Sequence, residues 1–325
     1  MSTILITGAA GNLGGMLARR LAGRHQLRLM VHHKPLADDL AQAPGVTVVQ
    51  ADLGRLETLR EPCAGAEVVI HFAGVLFRPW PERFLWRTNF EYFRNLVEVA
   101  LAEGVGRLVL VSFPHVEGET TPERPATCRL DGEPRSVHAR TRLEEERYLL
   151  ARCEGTATTS VVLRVGMVYG PGVLMIEAAR WLLRRRLLPL WPGPTWAHLI
   201  AAPDALAGMQ AAVEGETSGI YSLADEQPVT LQAAVDRLAD KWDLPRAWRL
   251  PLPLFYLAAL GVEVFATVFR TPAPLHRDFI RIGSASYSAD TSRFREDLLP
   301  TLQFPTLNEG LRQWDRGTPS PRLQQ

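Results

Sequence analysis

The chain has 325 residues, 46% of them hydrophobic, enough to bury a large core in one large domain or two smaller ones. Thirty-six basic against thirty-five acidic residues leave a net charge of +1, so no global field recruits nucleic acid or an acidic membrane surface. Cys63, Cys128 and Cys153 stand far apart with no CxxC spacing. That excludes a zinc signature and predicts no metal site; with no secretory signal pattern at the N-terminus, it points to a cytoplasmic protein.

The first element is the most informative. Ile4-Leu5-Ile6 runs into Thr7-Gly8-x-x-Gly11-x-x-Gly14, and Leu13, Met16, Leu17 and Leu21 follow at helical spacing. In such a strand–turn–helix one glycine makes the tight turn, one lets the backbone approach a pyrophosphate and one lets helix pack on strand. The implied ligand is a dinucleotide, touched by Gly8, Gly11, Asn12, Leu13 and Gly14.

Further strands are predicted at 27–31, 46–50, 68–71, 107–112 and 159–164, with helices between them, notably 84–103 and 136–153. Near-continuous Val, Ile and Leu in these strands implies burial on both faces, the pattern of a parallel sheet covered by helices. The predicted fold is α/β, a doubly wound parallel sheet (Rossmann) over 1–168, to which segments around 196–223 add. A smaller substrate lobe covers 169–318, and 319–325 is a polar tail.

In that lobe, 221–223 reads as a short strand and 231–242 as a helix. The stretch 250–269 is long and apolar enough to cross a bilayer, but Pro251, Pro253 and Glu263 interrupt it. It is expected to be a lobe helix lining an apolar pocket, with monotopic membrane contact as the alternative. Arg180 and Arg184-Arg185-Arg186 read as a solvated helix face, or alternatively as a site for an anionic group.

Landmarks along the chain resemble the extended short-chain dehydrogenases/reductases, the superfamily of nucleotide-sugar epimerases, dihydroflavonol reductases and 3β-hydroxysteroid dehydrogenases. After the glycine turn come Ala51-Asp52-Leu53, His71-Phe72-Ala73-Gly74, Thr88-Asn89, 108–112 and Leu163-Arg164-Val-Gly166-Met-Val-Tyr169-Gly170-Pro171-Gly172. The C-terminal run from Pro251 through Asn308-Glu309-Gly310-Leu311 is most similar to the hydroxysteroid-dehydrogenase-like branch. The resemblance implies adenine contacts from Asp52 and Leu53, a cofactor edge at Phe72, Ala73 and Gly74, and a homodimer. His32, His33 and Lys34 stand where NAD-preferring relatives carry an acidic residue. Donors without a carboxylate favour NADP(H), with NAD(H) the alternative.

The resemblance also locates a departure. Members carry Ser or Thr after the fifth strand and Tyr four residues before Lys on the next helix; here those positions hold Phe113, His138 and Arg142. Residues four apart share a helix face, so His138 and Arg142 would both face the cleft. A histidine normally titrates near pH 6.5, and a neutral one is a candidate general base or hydrogen-bond donor, while Arg142 can grip ribose hydroxyls. Phe113, His115, Tyr169 and Trp191 are the candidate substrate-pocket residues, with Glu117 in reserve, and Trp181, Leu182, Leu183, Leu187, Leu188, Leu190 and Trp196 as an apolar wall.

The function expected is an NAD(P)-dependent oxidoreductase acting on a carbonyl or alcohol of a mainly apolar small molecule. Two alternatives keep the nucleotide site: a redox-neutral isomerase, lyase or cyclase, and a binding protein without turnover.

Overall fold

The computed structural model describes residues 1–75 and 78–314; the polar tail 319–325 lies outside the described residues. The strands are β1 (Thr3–Thr7), β2 (Gln26–Val31), β3 (Val46–Gln50), β4 (Val68–His71), β5 (Arg107–Ser112), β6 (Thr159–Val165), β7 (Met167–Tyr169), β8 (Pro189–Leu190), β9 (Trp196–Ala197), β10 (Leu199–Ala201), β11 (Gly219–Leu223), β12 (Val229–Thr230) and β13 (Trp248–Arg249). The α-helices are α1 (Asn12–Leu21), α2 (Asp38–Ala41), α3 (Leu56–Cys63), α4 (Tyr92–Ala102), α5 (Val137–Cys153), α6 (Leu174–Arg184), α7 (Ala202–Glu214), α8 (Leu231–Lys241), α9 (Leu252–Phe269), α10 (Arg277–Ser284), α11 (Ser292–Asp297) and α12 (Leu307–Gln313).

Seven strands form one sheet in the order β11-β6-β5-β4-β1-β2-β3, and every neighbouring pair in it is parallel. Alternation along the strands builds two cores. Ile4, Ile6, Leu27 and Leu29 face α1 and α7, while Leu5, Val69, Leu108 and Leu110 face α3, α4 and α5. The strand order reverses between β1 and β4, the place where open α/β sheets bind ligands.

The two parts of the chain interlock rather than dividing at 168/169. β11 completes the sheet, α7 packs against α1, and Phe294, Leu307 and Leu311 return from the C-terminus to the first core. The lobe itself is held by two small cores, one around Leu183, Leu190 and Val235 and one around Trp191, Phe255 and Ile280.

Candidate functional site

The glycine turn has the shape a pyrophosphate needs. Gly8 has φ +71°, and a Cβ there would come within 2.8 Å of the Ala73 backbone nitrogen; one on Gly14 would come within 2.5 Å of the Gly8 carbonyl oxygen. The Gly11 amide closes the turn on the Gly8 carbonyl oxygen at 2.8 Å, leaving Gly11 and Asn12 exposed at the start of α1. Asn12 has a further role. Its side chain donates to the Gly172 carbonyl oxygen at 2.8 Å and accepts from the Leu174 amide at 2.9 Å, tying the turn to α6. These residues fit a dinucleotide, with the amides at the start of α1 open to its phosphates.

At the adenosine end, Asp52 accepts from the Gly54 amide at 2.8 Å, and Leu53 is half-buried against the second core. His32 and His33 stack at 3.6 Å between ring centroids, both exposed beside Lys34. One correction follows. A carboxylate is within reach of this corner, because Asp52 arrives from the loop after β3 and its Oδ2 lies 3.7 Å from His32 Nε2.

At the other end of the cleft, the wide turn Trp86–Glu91 buries Asn89, whose amide donates to Thr141 Oγ1 at 3.1 Å. Arg142 reaches from α5 to Gly74, donating to the Ala73 carbonyl oxygen at 3.2 Å and pairing with Glu145 at 2.6 Å. Asn89 Oδ1, Glu145 Oε1 and His138 Nδ1 are buried without a hydrogen-bond partner. A fold leaves few such atoms unsatisfied, and these three lie on or beside the first turns of α5. Phe72 is half-buried at the lip of this region.

His138 is the second residue of α5. The start of that helix is capped twice: Ser136 Oγ accepts from the Ala139 amide at 3.0 Å, and Asp278 on α10 accepts from the amides of Val137 and His138 at 3.0 and 3.2 Å. Phe113 stands edge-on to the imidazole at 4.8 Å. Burial, then the charge of Arg142, then His276 and His115, push the His138 pKa down to about 3. The ring is therefore held well below the ordinary histidine value of about 6.5, and across physiological pH it is neutral, the form in which it is a candidate base or donor. Burial, with a smaller push from the charge of Glu146, raises Glu145 to about 7 against the attraction of Arg142.

Several sequence-predicted residues turn out to be structural. Tyr169 is not a pocket wall; it is buried in the sheet core with its hydroxyl donating to the Thr306 carbonyl oxygen at 3.3 Å. Trp191 is likewise core, donating to Thr195 Oγ1 at 2.7 Å and packing edge-on against Phe255 at 5.5 Å. The apolar wall is not assembled, because Leu183 and Leu190 fill a lobe core while Trp181 and Leu187 face solvent. Glu117 is also unavailable. It and Glu146 clamp the fully buried Arg164 at 2.5 and 2.6 Å, and Ser112 donates to Glu146.

His115 does line a cavity. It encloses about 80 Å³ between the loop after β5, the start of α5, and α9 and α10, with Glu119, Arg135, Ser136, Tyr256 and Arg281 on its walls. Pro134, Ala139, Ile282 and Ala285 stand among these side chains, so the lining is mixed rather than purely apolar. His115 Nε2 lies 3.2 Å from the Ala285 carbonyl oxygen, its Nδ1 has no partner, and burial lowers its pKa to about 4. Residues missed in the sequence, Glu145, His276 and Asp278, differ in kind. Glu145 continues the helical face of 138 and 142 and could have been found by that spacing, whereas His276 and Asp278 come from a distant helix with no local signal.

The chain is 26% identical to the ceramide reductase of Caulobacter vibrioides over 278 residues, covering 83% of this chain and 80% of that one. It is 24% identical to the UDP-glucose 4-epimerase of Vibrio cholerae over 272 residues, 80% and 81% of the two chains. The structure of MoeE5 in complex with UDP-glucuronic acid and NAD superposes with a TM-score of 0.74 at 21% identity, covering 97% of this chain and 99% of that one. The family model that describes these folds matches residues 4–223, from β1 through the last strand of the sheet, and the chain belongs to the NAD dependent epimerase/dehydratase family.

Proposed function

We propose that the chain is a nicotinamide-dinucleotide-dependent oxidoreductase acting on a carbonyl or alcohol of a small molecule, in which His138 and Arg142 do the work usually given to a tyrosine and a lysine. The observation that carries this reading is the unpartnered, buried His138 Nδ1 on the same helix face as Arg142, which reaches over Ala73 and Gly74. When bound, the cofactor supplies a hydride donor or acceptor. The turn from Gly8 to Gly14 and the first amides of α1 hold its pyrophosphate; Asp52 and Leu53 border the adenine, and Arg142 holds the ribose beside the nicotinamide. His33 and Lys34 are exposed donors for a 2′-phosphate, which supports NADP(H) over NAD(H) even with Asp52 close to His32.

A neutral imidazole has one N–H donor and one acceptor nitrogen, so His138 can polarise a substrate carbonyl as a hydrogen-bond donor without changing protonation state. The guanidinium of Arg142 favours negative charge growing on the substrate oxygen. Arg135, Arg281 and Glu119 in the neighbouring cavity fit a substrate with a polar end.

A second reading is favoured by two contacts: Ser112 is committed to Glu146 and Phe113 stands against His138, so the position where relatives carry a serine brings no hydroxyl to the imidazole. The chain would then bind the nucleotide without turnover. The deciding experiment incubates the protein and NADPH or NADP with a panel of carbonyls and alcohols that includes ceramide and UDP-glucose, the molecules named in two relatives. A stoichiometric change in nicotinamide absorbance that His138→Ala abolishes supports the oxidoreductase. Product without that change means redox-neutral chemistry, and cofactor binding with no product from any compound means a binding protein.

A further inference from the structure

The helix α9 carries its one charged residue inward. Glu263 is buried and paired with Arg277 at 2.7 Å, while Phe255, Ala259 and Ala266 also face the lobe. The outward face is apolar apart from Thr267: Leu254, Leu257, Val264, Phe265, Val268 and Phe269 are exposed, Leu257 and Val268 by 67% and 68%. Surface helices of water-facing domains turn polar residues outward, and a continuous exposed apolar stripe marks a surface that something covers. At 18 residues the stripe is about 27 Å long.

Both ends of the stripe carry tryptophan and arginine. At the N-terminal end, exposed Trp248 donates to the Arg186 carbonyl oxygen at 2.9 Å, and Arg185 lies 4.0 Å over the Trp181 ring. Arg184, Arg185 and Arg186 are exposed with no carboxylate partner among the described residues. At the C-terminal end, Trp80 donates to Thr267 Oγ1 at 2.7 Å, with Arg83 and Arg277 at 5.2 and 4.9 Å from its ring and Arg270 next along the chain.

We propose that α9 is an interfacial membrane anchor: its outward face lies in the plane of a bilayer of anionic lipids, with the flanking arginines and tryptophans at headgroup level. An apolar stripe bounded by Trp and cationic side chains is the chemistry of a headgroup boundary. The helix lies on the membrane and does not cross it, because its inner face is packed against Trp191 and Ile280 and crossing would strip the Glu263–Arg277 pair. A second copy of the chain is the less suitable cover. Both ends of the stripe are cationic, so either orientation of two α9 helices brings like charges together. α9 also contributes Tyr256 to the cavity beside His115, so the docked helix is a wall of the candidate site. The inference does not depend on the reaction proposed above.

Flotation of the full chain with vesicles tests it. The chain should float with 3:1 phosphatidylcholine/phosphatidylglycerol vesicles at least about ten-fold more than with pure phosphatidylcholine, since each arginine near an anionic surface adds binding. Leu257→Glu with Val268→Glu should abolish flotation while leaving circular dichroism unchanged, because both side chains point to solvent. Arg184→Glu with Arg185→Glu should erase the preference for anionic vesicles. Absence of flotation by the folded chain, or flotation that the double glutamate variant retains, overturns the proposal. So does a dimer in sedimentation equilibrium that the same variant dissociates while vesicles capture nothing, which would assign the stripe to a second copy.

Discussion

A histidine held neutral by its surroundings behaves differently from one that titrates. With the His138 pKa pushed down to about 3, turnover should show no inflection from this residue between pH 6 and 8. His138→Ala should lower turnover roughly 10²-fold, the scale for removing one donor to a developing oxyanion, with cofactor affinity unchanged. The same shift predicts a stability effect. Below about pH 6.5 the unfolded chain takes a proton that the folded ring refuses, so this contribution is complete above 6.5 and is lost as the pH falls toward 3. His138→Asn should therefore lose less stability than the parent between pH 7 and pH 5 in urea titrations; an equal loss would show that the ring is protonated in the fold. Arg142→Lys keeps the charge but loses the planar fork, and should weaken cofactor binding about ten-fold, the worth of one charge-assisted hydrogen bond. The pair 138 and 142 was legible because four residues return to the same helix face. The depressed pKa was not, because its largest cause, burial, is set by the elements packed on α5, and His276 and His115 also come from elsewhere in the chain.

Helices and strands carry the next level of the account. The strand–turn–helix was readable from Ile4 to Gly14 because its glycines are closely spaced, and Gly8 and Gly14 each answer a collision that any Cβ would create. Gly14→Val should abolish binding of both cofactors by displacing the Gly8 carbonyl. The capping of α5 by Asp278 could not be read, since the two meet across 140 residues. Asp278→Ala should cost about 1–2 kcal/mol, the usual range for losing a helix cap, measured as a lower denaturant midpoint. Apolarity also made α9 conspicuous in the sequence. Which face it would turn to solvent was hidden, because a helix apolar all round has no pattern to orient it, and only packing against Trp191 and Ile280 decides.

For the whole molecule, the sheet was legible strand by strand because continuous Val, Ile and Leu admit few other arrangements. The lobe was less so: Leu183, Leu190 and Trp191 read equally well as pocket or core, and became core. The interlocking of β11, α7, α11 and α12 with the sheet predicts one cooperative unfolding transition rather than two. A ligand at 100 times its Kd adds about 2.7 kcal/mol to such a unit and should raise its melting temperature by a few degrees.

The central claim is a working dinucleotide site with a rebuilt catalytic pair, and calorimetric titration with NADPH and NADH tests it most directly. The account predicts one site per chain, tighter for NADPH, lost in Gly14→Val, weakened in Arg142→Lys and retained in His138→Ala. The absence of binding by either cofactor to the folded parent, or binding that Gly14→Val leaves intact, would contradict it.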